Sequence, residues 1–191
     1  MSVMQKKVII LTAPSGAGKT SITRFLLGHY PELAFSVSAT TRAPRGAEQD
    51  GVDYHFISPE AFKAHIAQDD FLEHEMVYEG LYYGTLKTEL DRIWAQGKTP
   101  VLDIDVKGAI AIQAKLGKQA LSIFILPPSI DVLKERLESR NTETPEKMQM
   151  RLDKAAYEIS FSDQFDAVVK NEILEQACTE TAALIQAFIS K

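Results

Sequence analysis

Val8-Ile9-Ile10-Leu11-Thr12 runs into Ala13-Pro14-Ser15-Gly16-Ala17-Gly18-Lys19-Thr20, an apolar segment that gives way to a glycine-rich one ending in Lys-Thr. The apolar run from Val8 to Leu11 is shorter than a secretory core of about 7 residues, so it reads as a buried strand. The glycine-rich segment then turns that strand into a helix. Glycines let backbone N–H groups point inward around phosphate oxygens, and the helix N-terminus adds partial positive charge. Lys19 is placed to reach terminal phosphates, and the Thr20 hydroxyl is a ligand for Mg²⁺. The usual pattern starts with glycine where this chain has Ala13. A methyl group fits there if φ is negative. Strand, loop and helix together predict binding of a nucleoside triphosphate.

The rest of the chain has to supply what such a loop serves. Its 191 residues suit one α/β domain with small inserted lobes. Hydrophobic residues make up 45% and charged residues 25%, which excludes a disordered or fibrous chain. Twenty-one basic and 26 acidic side chains give a net charge of −5, so non-specific binding along a nucleic acid is excluded and any anionic ligand must meet a local cluster of cations. No apolar run approaches the roughly 18 residues that span a bilayer. The lone Cys178 forms no internal disulfide or metal cage, suits a reducing cytoplasm, and is expected buried in a helix. His29, His55, His65 and His74 show no zinc spacing.

Working outward from the loop, a second strand is expected around Phe35-Ser36-Val37, completing one βαβ unit. Thr40 to Asp53 is polar and rich in Arg, Gly and Pro, which marks an irregular segment. Short strands are expected at Val52–Ile57 and Phe71–Val77, with a helix capped by Ser58 and opened by Pro59 between them. A further helix is expected from after Thr85 to Gly97, and a buried strand over Pro100–Asp105. A helix over Val106–Leu116, a strand over Leu121–Leu126 and a helix after Ser129 continue the alternation that builds a parallel sheet. Asn141 to Pro145 interrupts it. A helix carrying Arg151, a last strand over Ala167–Lys170 and a final amphipathic helix follow. Leu174, Ala177, Cys178, Thr181, Leu184, Ile185 and Phe188 fall on one face of that helix.

Three further groups carry chemistry. Arg42 and Arg45 put two fork-shaped cations in one loop, and the hydroxyls of Tyr54 and Tyr83 can complete the hydrogen bonding of a phosphate monoester. Tyr82 is expected to pack. Arg136 and Arg140 stand four apart on one helix face, with Arg151 after a break. Asp103 and Asp105 end an apolar strand beside the phosphate loop, where Mg²⁺-linked carboxylates sit in such folds. Asp103 is expected to order the metal's water shell and Asp105 to orient acceptor-site arginines, unless either caps the helix that starts near Val106.

Phe35 to Arg45, Gly51 to Tyr54, Gly80 to Thr85, Leu102-Asp103-Ile104-Asp105, Arg136 to Arg140, Arg151-Leu152 and Asn171 resemble the guanylate kinase family over nearly the whole chain. The resemblance implies a P-loop parallel sheet flanked by helices, with a core of 1–37, 98–130 and 161–191, an inserted GMP-binding lobe over 38–97 and a lid over 131–160. It implies that Glu73, Ser38 and Thr85 read guanine. A carboxylate accepts from guanine's N1–H and amino group, whereas adenine would leave it unpaired; read alone, Glu73 is a polar position on an exposed strand. It implies that Arg136, Arg140 and Arg151 are lid arginines and that Asn171 lies near the donor adenine. Asn141 stands where glycine is common, and Lys170 where an apolar residue is common.

The activity implied is transfer of a phosphoryl group from MgATP to GMP, and to dGMP, in the cytoplasm, with the small nucleotides ATP and GMP as partners, no nucleic acid or membrane, and the oligomeric state left open. No histidine base is needed, because a monophosphate with a second pKa near about 6 is already a nucleophile. Two alternatives stand beside this one. A catalytically inactive module would recognise a phosphopeptide through Arg42, Arg45, Tyr54 and Tyr83, and a related kinase would act on a sugar phosphate.

Overall fold

Val8–Thr12 forms β1, with every residue buried, and the phosphate loop hands it to α1 (Lys19–His29). Next come β2 (Leu33–Phe35), β3 (Ala39–Thr40), β4 (His55–Phe56), α2 (Pro59–Ala67), β5 (Phe71–Tyr78), β6 (Leu81–Leu86), α3 (Lys87–Ala95) and β7 (Thr99–Asp103). The chain continues through α4 (Val106–Leu116), β8 (Ala120–Leu126), α5 (Ile130–Glu138), α6 (Pro145–Ile159), β9 (Ala167–Lys170) and α7 (Leu174–Ile189). This computed structural model describes residues 6–138 and 145–191. Its contacts form two units, one holding Glu32–Leu102, the other Lys7–Pro31 and Asp103–Lys191.

In the second unit β1, β8 and β9 run parallel, with Val8 opposite Ala120 and Ile123 opposite Ala167. Ile9, Ile10, Leu11, Ile123, Phe124 and Ile125 are fully buried. Near-continuous apolar strands are what a sheet covered on both faces requires. Burying each such side chain contributes about 1.5–3 kcal/mol, so this sheet is the rigid base of the site above it. Helices α1 and α7 pack on each other, and α4 packs on β1 and β8. Cys178 is buried in α7 as expected, but Leu174 is exposed, because α7 buries its core face from Ala177 onward. Leu133 and Leu137 of α5 meet Leu152 and Ala155 of α6 in a small core of their own.

In the first unit β2 pairs in parallel with β7, and a four-stranded sheet runs in the order β4-β3-β6-β5. Phe62 of α2 stacks on Phe71 and Tyr82 at ring separations of 4.3 and 5.2 Å, so Tyr82 packs as expected. Ser58 caps α2 by accepting from the Ala61 N–H at 3.1 Å, and Pro59 opens the helix.

Several expected boundaries are corrected. The strand expected over Phe35-Ser36-Val37 ends at Phe35, where pairing with Val101 stops. That expected over Val52–Ile57 shrinks to His55–Phe56, since its only long partner, β3, is two residues long. β7 ends at Asp103, since Asp105 already caps α4. Leu81–Leu86 is a strand that no alternation of apolar and polar residues announces.

Candidate functional site

Helix α1 starts on Gly18, whose φ of +97° is left-handed and which offers no side-chain cap. The first N–H groups of a helix have no acceptor within it, so α1 points uncapped donors into the loop. Gly16, with φ of +91°, lies so close to Leu133 and Leu137 that a Cβ would come within about 3.0 Å of them. Asp69 is the only described non-glycine residue with positive φ, so Ala13 has the negative φ that its methyl requires.

Above the loop lies a cavity of about 340 Å³, lined by the loop from Ala13 through Ser21, by Asp105 and by Arg151, Lys154 and Glu158 of α6. Pro14, Ser15, Gly16, Gly18, Lys19 and Thr20 face it, whereas Ala17 is buried behind. The Lys19 ammonium pairs with the Asp103 carboxylate and donates to the Ile104 carbonyl at 3.4 Å. Asp105 accepts from the Gly108 N–H at 2.8 Å, which makes it the N-cap of α4, and it also lines the cavity. Of the two roles open to Asp105 in the sequence, capping is the one seen.

Of the expected lid arginines, Arg151 lines the cavity. Arg136 donates to the Asn171 carbonyl at 3.2 Å. Arg140 and the neighbouring Asn141 lie outside the described residues. Asn171, expected beside adenine, is buried, with its amide nitrogen 2.7 Å from the Ala17 carbonyl oxygen. Lys154 and Glu158 are the residues that sequence reasoning missed here. Residues 151, 154 and 158 fall on one helix face, which was the available signal. Burial raises the Glu158 carboxyl above its ordinary value; Lys154 at 3.7 Å opposes this and Asp105 adds to it.

In the first unit, the Arg42 guanidinium makes a bidentate pair with Glu48 at 2.6 and 2.7 Å and donates from Nε to the Tyr83 hydroxyl at 3.2 Å. It also lies over the Tyr54 ring at 4.8 Å, and Tyr54 meets Tyr83 edge-on. Arg42, Tyr54 and Tyr83 thus form one cluster. The Arg45 side chain is exposed, and its backbone N–H donates to Glu48 at 2.8 Å. Glu48 was missed because an acid in a polar loop has no periodicity to mark it. Its bond from Arg42, and then that from Arg45, lower its carboxyl to about 2.

Along the antiparallel pair β5 and β6, Glu73 stands opposite Thr85, and the Thr85 hydroxyl donates to Glu73 at 2.8 Å. Ala39 stands opposite Gly84, so continuing that register puts Ser38 opposite Thr85. Cross-strand neighbours share a face, so Thr85 and Glu73 do so here, with Ser38 one residue before β3. Beside it the buried Glu89 accepts from the Val37 N–H at 3.1 Å and from Arg92, which fixes the segment leading into Ser38.

A phosphate loop under an arginine-bearing helix and a carboxylate–hydroxyl row beside an Arg–Tyr–Tyr cluster match what comparison with known proteins finds. The guanylate kinase family model covers residues 5–188. The guanylate kinase of Bacteroides thetaiotaomicron is 47% identical over 188 residues, 98% of this chain and 92% of that protein. That of Salinibacter ruber is 49% identical over 185 residues, 97% and 98% of the two chains. The crystal structure of guanylate kinase from Anaplasma phagocytophilum superposes with a TM-score of 0.77 at 30% identity, covering 97% of this chain and 87% of that one. With the fold, the loop and the match along almost its full length in agreement, the chain belongs to the guanylate kinase family.

Proposed function

We propose that the protein transfers the γ-phosphoryl group of ATP to GMP, and to dGMP, giving ADP and GDP. The observation that carries this reading is the Glu73–Thr85 pair in the same four-stranded sheet as the Arg42–Tyr54–Tyr83 cluster. The first offers guanine an ionised acceptor, and the second offers a monophosphate a guanidinium and two hydroxyls. A site that pairs a half-buried carboxylate with N1–H disfavours a base lacking that donor, since the charge would be left unpaired. Ser38 continues the guanine row, and Arg45 adds a second cation on the phosphate side.

On the donor side the loop over 13–20 cradles the β- and γ-phosphates, and Lys19 exchanges Asp103 for a phosphate oxygen. Arg136, Arg140 and Arg151 neutralise charge on the phosphoryl oxygens as it spreads in the transition state. The division into a core, a GMP-binding lobe over 38–97 and a lid over 131–160 belongs to this reading. So does closure of lobe and lid, which excludes water as a competing acceptor. No residue has to act as a base on the acceptor, because its phosphate is already anionic.

Mg²⁺ fits the donors available. Thr20 and Asp103 offer oxygen donors, one next to Lys19 in sequence and one paired with it, and no group of three or more His, Cys, Asp or Glu side chains among the described residues could hold a metal. That scarcity suits an ion held by one or two protein oxygens plus substrate phosphates. Thr20 would ligate it and Asp103 would order its water shell. Bound with ATP, it supplies charge neutralisation on the β- and γ-phosphates. No helix among the described residues is long and apolar enough to cross a membrane, and a cytoplasmic location belongs to the same proposal.

The test is ADP formation with a panel of monophosphates. GMP and dGMP should be used at least about 100-fold better than AMP or UMP by kcat/KM, the discrimination expected when a hydrogen-bonded base is replaced by one that leaves polar groups unpaired. Equal rates across the panel would refute the guanine assignment.

A further inference from the structure

Asn171 stands at a junction of three elements. Its backbone N–H donates to the Leu126 carbonyl at the end of β8 at 2.8 Å. Its carbonyl accepts from Arg136 of α5 at 3.2 Å. Its side-chain amide nitrogen donates to the Ala17 carbonyl inside the phosphate loop at 2.7 Å, bridging 154 positions in sequence. The residue is only 3% exposed. The orientation of the amide is fixed by chemistry, since only the NH₂ end can face a carbonyl oxygen.

Two details show that this bond is retained at a cost. The Asn171 Oδ1 is buried and has no hydrogen-bond partner among the described residues. Leaving a buried acceptor unpaired is costly, so the bond to Ala17 and the packing around it must outweigh that. Any Cβ at position 18 would collide with the Asn171 amide nitrogen. Gly18 is therefore required by its left-handed φ and by the side chain that reaches in behind it.

We infer that Asn171 is a positioning residue, a latch that holds the phosphate loop in its anion-binding shape from behind and ties that shape to lid helix α5 through Arg136. With the Ala17 carbonyl held back by Asn171, the neighbouring N–H groups point forward into the cavity. The bond to Arg136 lets a displacement of α5 reach the loop through one residue. A latch acts on the phosphates of any donor equally, whereas a base contact acts on adenine alone.

This inference rests on the reading that the loop binds a triphosphate, and inorganic tripolyphosphate, which has no base, separates the two. Calorimetric titration of tripolyphosphate into the wild-type protein should show binding. Asn171→Ala and the isosteric Asn171→Asp should each bind it about tenfold more weakly. In turnover assays both should raise the KM for ATP and for GTP by the same factor, with the KM for GMP unchanged. Asn171→Ser, whose hydroxyl is a shorter donor, should fall between wild type and Asn171→Ala, and it carries the test if either of the others fails to fold by circular dichroism. Wild-type affinity for tripolyphosphate in the variants, with a collapsed preference for ATP over GTP, would overturn the latch in favour of an adenine contact. No tripolyphosphate binding by the wild type would overturn the phosphate-loop reading and the latch with it.

Discussion

The Lys19 ammonium rests against the Asp103 carboxylate, with both side chains about one-fifth exposed. The lysine is thus held at the mouth of the loop by a partner that a triphosphate must replace. Lys19→Ala should lower kcat by about 10²–10³, the cost of removing one preorganised charge from a transition state, with little change in Tm. Asp103→Asn should leave the fold intact and raise the Mg²⁺ concentration for half-maximal rate by about 10–100-fold, the usual effect of losing an outer-shell ligand. Unchanged Mg²⁺ dependence would remove Asp103 from the metal's surroundings.

Glu73 and Thr85 act as one unit, since the hydroxyl donates to the carboxylate at 2.8 Å and so orients it. Glu73→Gln should lower kcat/KM for GMP by about 10–100-fold, because a charge-assisted bond contributes about 1.5–3 kcal/mol. Thr85→Val should cost less and act through KM. Neither should alter the KM for ATP. Both effects are read from initial rates with each substrate varied in turn.

Glu48 holds both Nη atoms of Arg42. Glu48→Gln should raise the KM for GMP about 3–10-fold without changing kcat, because a long side chain must then be ordered on binding. The Glu48 carboxyl is lowered from 4.5 to about 2 in the folded protein. A depressed carboxyl stabilises the fold above its unfolded value and loses that contribution as pH falls through the folded one. KM is read on the folded protein, so the ratio of KM values for variant and wild type should stay flat from pH 8 to about 4 and converge only as pH approaches about 2.

Glu158 has the opposite sign. Its raised carboxyl binds its proton more tightly in the folded chain than in the unfolded one. Stability from this group is complete below the ordinary carboxyl range and is lost as pH rises through the folded value. Glu158→Gln should therefore raise Tm by about 2 °C at pH 7, with a smaller gain at pH 4, as followed by scanning calorimetry. A gain that is larger at pH 4 would show that the Lys154 pair, not burial, dominates.

The parts that sequence makes legible are those fixed by neighbours along the chain. A short apolar strand, a glycine with left-handed φ and an amphipathic helix place β1, the loop and α1 without help from elsewhere. Tyr54, Tyr83 and Arg42 could be grouped because their chemistry is complementary. The strand over Leu81–Leu86 was hidden because its pairing with β3 and β5, not its own pattern, makes it a strand. Asp105 carried two readings that only the Gly108 N–H separates. Asn171 owes its role to a partner 154 positions away and Glu48 to one in an irregular loop, encounters that no periodicity records, whereas Glu158 was marked only by the helix face it shares with Arg151.

The central claim is that this protein binds its phosphoryl donor and its acceptor at once, in different places. Titration of a non-hydrolysable ATP analogue with Mg²⁺ into protein already saturated with GMP tests it most directly. The predicted result is one further equivalent bound, with an affinity within a few-fold of that measured without GMP. If GMP instead weakens the analogue in proportion to its own concentration, the two share one pocket and the account fails.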